Sequence, residues 1–257
     1  MGTALETALR KYYERFRYEA KQPHNSIDFL LDSLEENGIK FSDEIKQGIN
    51  GTIDMLVKVY GEKERKYEKG PDNLPLPEYS HPIAVLYLAV GFYLTEKDNA
   101  KKDEHAKRFI KTFEENPLVF IYSALLHDVL EDEKMSETDL HGFLREKAHL
   151  TEQQTKAVVD DCNKLYHGEI VGDNILELNQ VLNILRKGGR SAYVKCFDIM
   201  HNSYSVPADD EKMVEKMMEP YYEFVKGFLP RIASIVMRNA LQEGKERYFA
   251  RLGGRQI

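Results

Sequence analysis

Residues Ile83 to Leu94, IAVLYLAVGFYL, form the longest apolar run in the chain and carry no charged side chain. As a helix the run would cover about 18 Å, against roughly 30 Å for the hydrocarbon core of a bilayer. It is too short to span a membrane comfortably and reads as a buried helix. A helix that is apolar on every side has to be enclosed by other elements.

The remaining pattern is helical. TALETALRKYYERFRYEA places apolar and aromatic residues at three- and four-residue spacing and is bounded by KQPHN. SIDFLLDSLEENG predicts a second helix, with Ser26 as N-cap and Gly38 as stop. SDEIKQGINGTIDMLVKVYGEKERKYEKG opens on Ser42 and Asp43 and carries a third. PDNLPLPEYSHP reads as a loop, because the prolines at 71, 75, 77 and 82 break both helix and ladder. His81 ends that loop, and helix resumes at Pro82, since Pro is favoured at the first helical position. Segment 95–117, TEKDNAKKDEHAKRFIKTFEENP, looks like a solvated helix or an insertion.

Further helices are predicted in SETDLHGFLREKA, TEQQTKAVVDDCNKLYHG, ILELNQVLNILRKGG and RSAYVKCFDIMHNSYSV, with Ser136 and Thr151 as caps. The tail adds ADDEKMVEKMMEPYYEFVKGF and PRIASIVMRNALQEGKERYFARLGG. No run of strands, internal repeat or low-complexity linker interrupts the pattern. The expectation is a single all-α domain over 1–257, with N-terminal helices in 1–60, a core in 61–206 and C-terminal helices in 207–257.

Charge narrows the ligands. A net charge of −7 does not attract nucleic acid or an anionic membrane broadly, so neither is expected as a partner. An anionic ligand would need a local basic patch or a metal. The two cysteines, Cys162 and Cys196, form no CxxC pair, and the N-terminus lacks an apolar h-region. A reducing, cytoplasmic setting is expected.

The chemistry concentrates in SALLHDVLEDEKMS, Ser123 to Ser136. Adjacent His127 and Asp128 offer a nitrogen and an oxygen donor to a divalent ion such as manganese, iron, cobalt, zinc or magnesium. Glu131 and Asp132 follow four residues after His127 and Asp128, about one helical turn, so a helix would put the acids on a shared face. Like charges so placed repel unless a cation compensates them. His81 in YSHPIAV and Asp198 in KCFDIMHN could complete a mixed nitrogen–oxygen ligand set with room for solvent. Asn202 lies four residues after Asp198, and Lys195 one turn before it. From the residues alone, a metal site and the solvated edge of a buried helix both remain open. Candidate cations for a polyanion are Lys164 and Lys195, with Arg65 and Lys66 before the loop.

These segments resemble the HD-domain metal-dependent phosphohydrolases, and more narrowly the hydrolase domain of the RelA/SpoT family with its small single-domain relatives. HPIAV resembles the family's first-histidine motif, and ALLHDVLED its His-Asp and Glu-Asp motifs together. VVDDCNKL is similar to a weaker family segment, VKCFDIMHNSYSV to the late motif, and MEPYYEFVKGFLP loosely to the helix that follows. The likeness covers roughly Tyr60 to Pro230.

It implies an HD-type helical bundle that binds one divalent metal, usually manganese, through His81, His127, Asp128 and Asp198. Glu131 and Asp132 would position or activate the attacking water. Asn202 would contact the nucleotide, and Lys195 would sit beside the site. The implied substrate is a purine nucleotide polyphosphate, guanosine tetra- or pentaphosphate, cleaved at its 3′-pyrophosphate to GDP or GTP and pyrophosphate. An HD phosphohydrolase acting on an adenosine alarmone or a nucleoside monophosphate, and a non-catalytic nucleotide-binding HD domain, are the alternatives.

Three departures stand out. The interval from His81 to His127 is long, and 95–117 looks like the insertion. Ile199 occupies the position where the family carries arginine, and KGPDNLPLPEYS replaces the family's glycine-containing stretch before the first histidine. Family members place a basic residue there to meet the base, a role open here to Arg65, Lys66 or Lys69.

Overall fold

The computed structural model describes residues 4–97, 100, 103–132, 134–165, 174–205, 210, 212, 214 and 229–240. Among them the chain is all-α apart from one small hairpin. The elements are α1 (Ala4–Glu19), α2 (Pro23–Glu36), α3 (Asp43–Tyr60), β1 (Glu64–Lys69), β2 (Pro75–Pro77), α4 (Ser80–Glu96), α5 (Glu104–Glu115) and α6 (Pro117–Leu126). They continue with α7 (Glu137–Glu146), α8 (Glu152–Leu165), α9 (Asn174–Lys187), α10 (Gly189–Ser205) and α11 (Pro230–Ala240). Apart from residues 210, 212 and 214, the predicted tail helix over 208–228, including most of MEPYYEFVKGFLP, and the end of the last one lie outside the described residues.

The apolar run is the axis of the molecule. Every residue from Ser80 to Tyr93 is buried on α4, which is surrounded by α1, α2, α5, α6 and α10. Its tyrosines are tolerated because their hydroxyls reach acceptors: Tyr87 bonds Glu19 and the Ser26 carbonyl, and Tyr93 bonds Glu114. Gly91 lets α1 close in. A Cβ there would lie 2.8 Å from the Tyr12 ring. Among the described residues, no helix is long and apolar enough to cross a membrane.

The caps follow the sequence where hydroxyls were available. Ser42 accepts from the Ile45 amide, Ser136 from Asp139, and Thr151 from Gln154. Gly38 takes φ +95° just past α2, as a stop requires. Ser26 is different. Pro23 starts α2 earlier, and the Ser26 hydroxyl sits inside the first turn, bonded to the Glu19 carbonyl. Helix α4 likewise begins at Ser80 rather than Pro82, which places His81 in its first turn.

Two larger readings change. Segment 95–117 is not merely solvated, because α5 buries Ala106, Phe109, Ile110 and Phe113. Phe109 meets Phe92 edge-on at 4.9 Å, and Phe113 stacks on Tyr93 at 4.6 Å. Residues 61–79 are neither a helical extension nor a plain loop. Gly61 ends α3, and β1 pairs antiparallel with β2. Proline fits β2 because each strand of a two-stranded sheet is an edge. Asp72 accepts from the Leu74 amide, and Asn73 takes φ +62°, which closes the turn between the strands.

Candidate metal centre

Helix α6 is apolar along its length and delivers His127 immediately past its last residue. His127, Asp128, Glu131 and Asp132 therefore lie on a turn beyond the helix, not on one helical face as the spacing suggested. The turn is held by the Val129 amide on the Leu126 carbonyl and by the Asp132 amide on the Asp128 carbonyl, 3.2 and 2.8 Å. The His127 Nδ1–H donates to the Ala124 carbonyl at 2.8 Å, satisfying a terminal acceptor of α6. Its Nε2 is thereby turned inward.

That nitrogen faces His81 Nε2 at 3.2 Å. Asp128 Oδ2 lies 3.1 Å from His127 Nε2 and 3.2 Å from His81 Nε2. Asp198 Oδ1, from α10, lies 3.2 Å from His81 Nε2 and 4.0 Å from His127 Nε2. His81, His127 and Asp128 each present a donor atom within 4.8 Å of the others and could hold a metal ion. Around a cation with donors at about 2.1 Å, neighbouring donors stand roughly 3.0 to 3.4 Å apart, so the observed spacings fit. Two imidazole nitrogens facing each other at 3.2 Å also need a proton or a cation between them. Asp198 is more heavily engaged than the other acid. Lys195 Nζ pairs with its Oδ2 at 2.8 Å, and Asn202 Nδ2 donates to its Oδ1 at 2.8 Å.

The electrostatics match a cation-seeking cluster. Burial acts to raise the Asp128 carboxyl, but His127 and His81 hold it well below the usual range. Burial opposes charge on His127 too, yet Asp128 and Asp198 push it up to about 9. Lys195, against its burial, is raised by Asp198, Glu131 and Asp128. Glu131 is the exception among the acids. Burial raises it to about 7, with Asp128 and Asp198 adding to the rise and Lys195 and His127 opposing it. Unlike Asp128 and Asp198, it is poised to take and release a proton near neutrality. Asp132 is exposed and lies near the Tyr60 hydroxyl of α3, where its charge helps burial raise that hydroxyl's pKa.

The remaining candidates separate. Arg65, half-buried on β1, donates to Asn202 Oδ1 at 2.9 Å and also meets Glu68 and Glu78, each at 3.4 Å. Two residues 137 positions apart are thus brought together beside Asp198. Lys66 is exposed, and so is Lys164 on α8, which takes no part in these bonds. In VVDDCNKL the residue that reaches inward is Asp161. It accepts from Ser123 of α6 at 2.8 Å and from Ser191 of α10 at 3.1 Å, and it pairs with Arg190. This buried acid ties the helix that delivers His127 to the helix that carries Asp198.

His201 and Glu68 were not among the candidates. His201 Nδ1 lies 2.7 Å from His81 Nδ1, and His201 Nε2 lies 2.9 Å from Glu68 Oε1. The Tyr13 hydroxyl donates to the same oxygen at 2.8 Å. His201 was visible in KCFDIMHN as the neighbour of Asn202. Glu68 carried no signal, because it reaches the site only through an irregular strand.

No protein-family model matches the chain, and no curated protein or solved structure matches it.

Proposed function

We propose that the chain is a metal-dependent phosphohydrolase that removes the 3′-pyrophosphate of guanosine tetra- or pentaphosphate, giving GDP or GTP and pyrophosphate. The observation that carries this reading is the convergence of His81, His127 and Asp128, with Asp198 alongside. These are the same residues whose motifs resemble the hydrolase family. When bound, a divalent ion, manganese by that resemblance, supplies a Lewis acid for a phosphoryl oxygen and a more acidic water.

The protein's own groups have separate duties. Glu131, titrating near 7, takes the proton of the attacking water as that water adds to the 3′-phosphorus. The bond from phosphorus to ribose O3′ breaks, O3′ takes a proton from solvent as it leaves, and Glu131 returns the water's proton to solvent. Asp132, beside Tyr60, orients the water from the solvent side. Lys195 holds Asp198 in place and offers positive charge to the phosphates. Asn202 and Arg65 form one polar edge, and the flat guanidinium suits stacking on a purine. Both thiols are free and buried, which fits work in a reducing cytoplasm.

One observation favours a broader substrate range. Arg65 is already engaged by Glu68, Glu78 and Asn202, so its hold on one base is weaker than that of an unpaired arginine. The test is to incubate manganese-loaded protein with guanosine and adenosine alarmones and with nucleoside monophosphates. Pyrophosphate release from guanosine tetraphosphate is expected. His127→Ala and Asp128→Ala should lose both bound manganese and turnover. Manganese-loaded protein that leaves both alarmone classes intact would refute the reading.

A further inference from the structure

We infer that Glu68 and His201 form a positioning relay that fixes the tautomer of His81 and so sets the metal affinity of the centre. The inference rests on the metal-centre reading above, but not on which nucleotide is cleaved. Glu68 comes from β1, His201 from α10 and His81 from α4, and all three are buried.

With Glu68 ionised and His201 neutral, the form its full burial favours, their bonds allow one order of donors. The carboxylate of Glu68 can only accept, so His201 Nε2, 2.9 Å away, carries a hydrogen and donates it. His201 Nδ1 then presents its lone pair to His81 Nδ1, 2.7 Å away, and His81 Nδ1 must be the donor. That leaves a lone pair on His81 Nε2, the atom 3.2 Å from both Asp128 and Asp198. A ligating histidine needs this state, and the partner of its other nitrogen decides it. His127 obtains the same result from the Ala124 carbonyl. The relay is itself held. The Tyr13 hydroxyl donates to Glu68 Oε1, Arg65 Nε lies 3.4 Å from Glu68 Oε2, and the rings of Tyr13 and Phe16 pack edge-on against His201. Purely structural packing would call for an apolar side chain at this depth, not a carboxylate and an imidazole in series.

The position of Glu68 depends on an irregularity. In a regular strand, Arg65 and Glu68, three apart, would point to opposite faces. The register between β1 and β2 shifts between Glu64 and Lys69, and both side chains reach α10.

The experiment uses the full chain labelled with ¹⁵N-histidine and loaded with zinc, which is diamagnetic. Long-range ¹H–¹⁵N spectra should show His81 protonated at Nδ1 and His201 protonated at Nε2 with a bare Nδ1. Manganese affinity is then measured by chelator competition. His201→Phe removes the acceptor and should weaken binding about 10- to 100-fold. His201→Asn, whose Oδ1 can still accept from His81, should recover most of the loss. A bare His81 Nδ1 in the zinc-loaded protein, or unchanged affinity in a folded His201→Phe variant, overturns the relay. If His201→Phe does not fold, the wild-type spectra decide alone. A protein that shows the relay and binds manganese but cleaves no nucleotide retains the relay and loses the hydrolase reading. Cleavage with full affinity in His201→Phe does the reverse.

Discussion

At His127 the two ring nitrogens have different tasks. Nδ1 caps α6 through the Ala124 carbonyl, and Nε2 faces His81, Asp128 and, more distantly, Asp198. The residue is therefore a helix terminus and could also be a metal donor, and these demands agree because each needs a hydrogen on Nδ1 only. Glu131 has the complementary property of titrating near 7 beside Asp128 and Asp198, which are held low. As a base it must be ionised, so turnover should climb as pH rises through its pKa, which a bound cation would pull below about 7. Glu131→Gln should retain manganese, lower turnover by about 10²- to 10⁴-fold, and flatten that limb of the pH–rate profile. Metal content and a pH series on the same variant check this. An unaltered limb would assign the inflection to another group.

At the scale of elements, the site is the meeting point of α4, the turn after α6, and α10, with β1 closing one side. Asp161 on α8 links α6 to α10. Asp161→Ala would strand Arg190 and two hydroxyls, a cost of about 3–5 kcal/mol, readable as a shifted urea midpoint. Gly91→Ala should cost about 1–3 kcal/mol, because the added methyl meets the Tyr12 ring at 2.8 Å and α1 must back away from α4. The helices of this frame were legible because their apolar residues repeat at helical spacing, and their caps are the side chains that bond amides best. His81, His127, Asp128 and Asp198 were legible as donor types, and the structure brings them to one point. The hairpin was not legible, since ERKYEK lacks alternation and prolines flank its partner strand. The burial of α5 was hidden by its lysines and glutamates, which occupy the face opposite Phe109 and Phe113. Glu68 was hidden for the reason the hairpin was, as it gains its role only from a register shift.

For the molecule as a whole, these groups couple folding to pH. His127 rises from 6.5 to about 9, so its contribution to stability is complete below pH 6.5 and is lost as pH climbs through 9. Glu131 acts in the same direction over a lower window, between 4.5 and about 7. His201 is pushed down by burial to about 4 and works oppositely, contributing above pH 6.5 and losing that contribution as pH falls to 4. Between pH 7.5 and 9.5, of these three only the His127 contribution is still changing. Protein stripped of metal should therefore melt at progressively lower temperature across that interval, and calorimetry at half-unit steps tests it. Manganese should oppose the fall, since it replaces the proton on His127 with a ligand that binds only the folded chain. In the proposed reaction, a net charge of −7 would make the same metal the means of holding the polyphosphate. The most direct test of that claim is product analysis. Manganese-loaded protein is mixed with guanosine tetraphosphate, and the phosphorus products are resolved by ³¹P NMR before and after chelation. The proposed hydrolysis should give GDP and intact pyrophosphate in equal amounts, with no reaction once the metal is removed. Unchanged guanosine tetraphosphate in the metal-loaded sample, or cleavage that survives chelation, would contradict it.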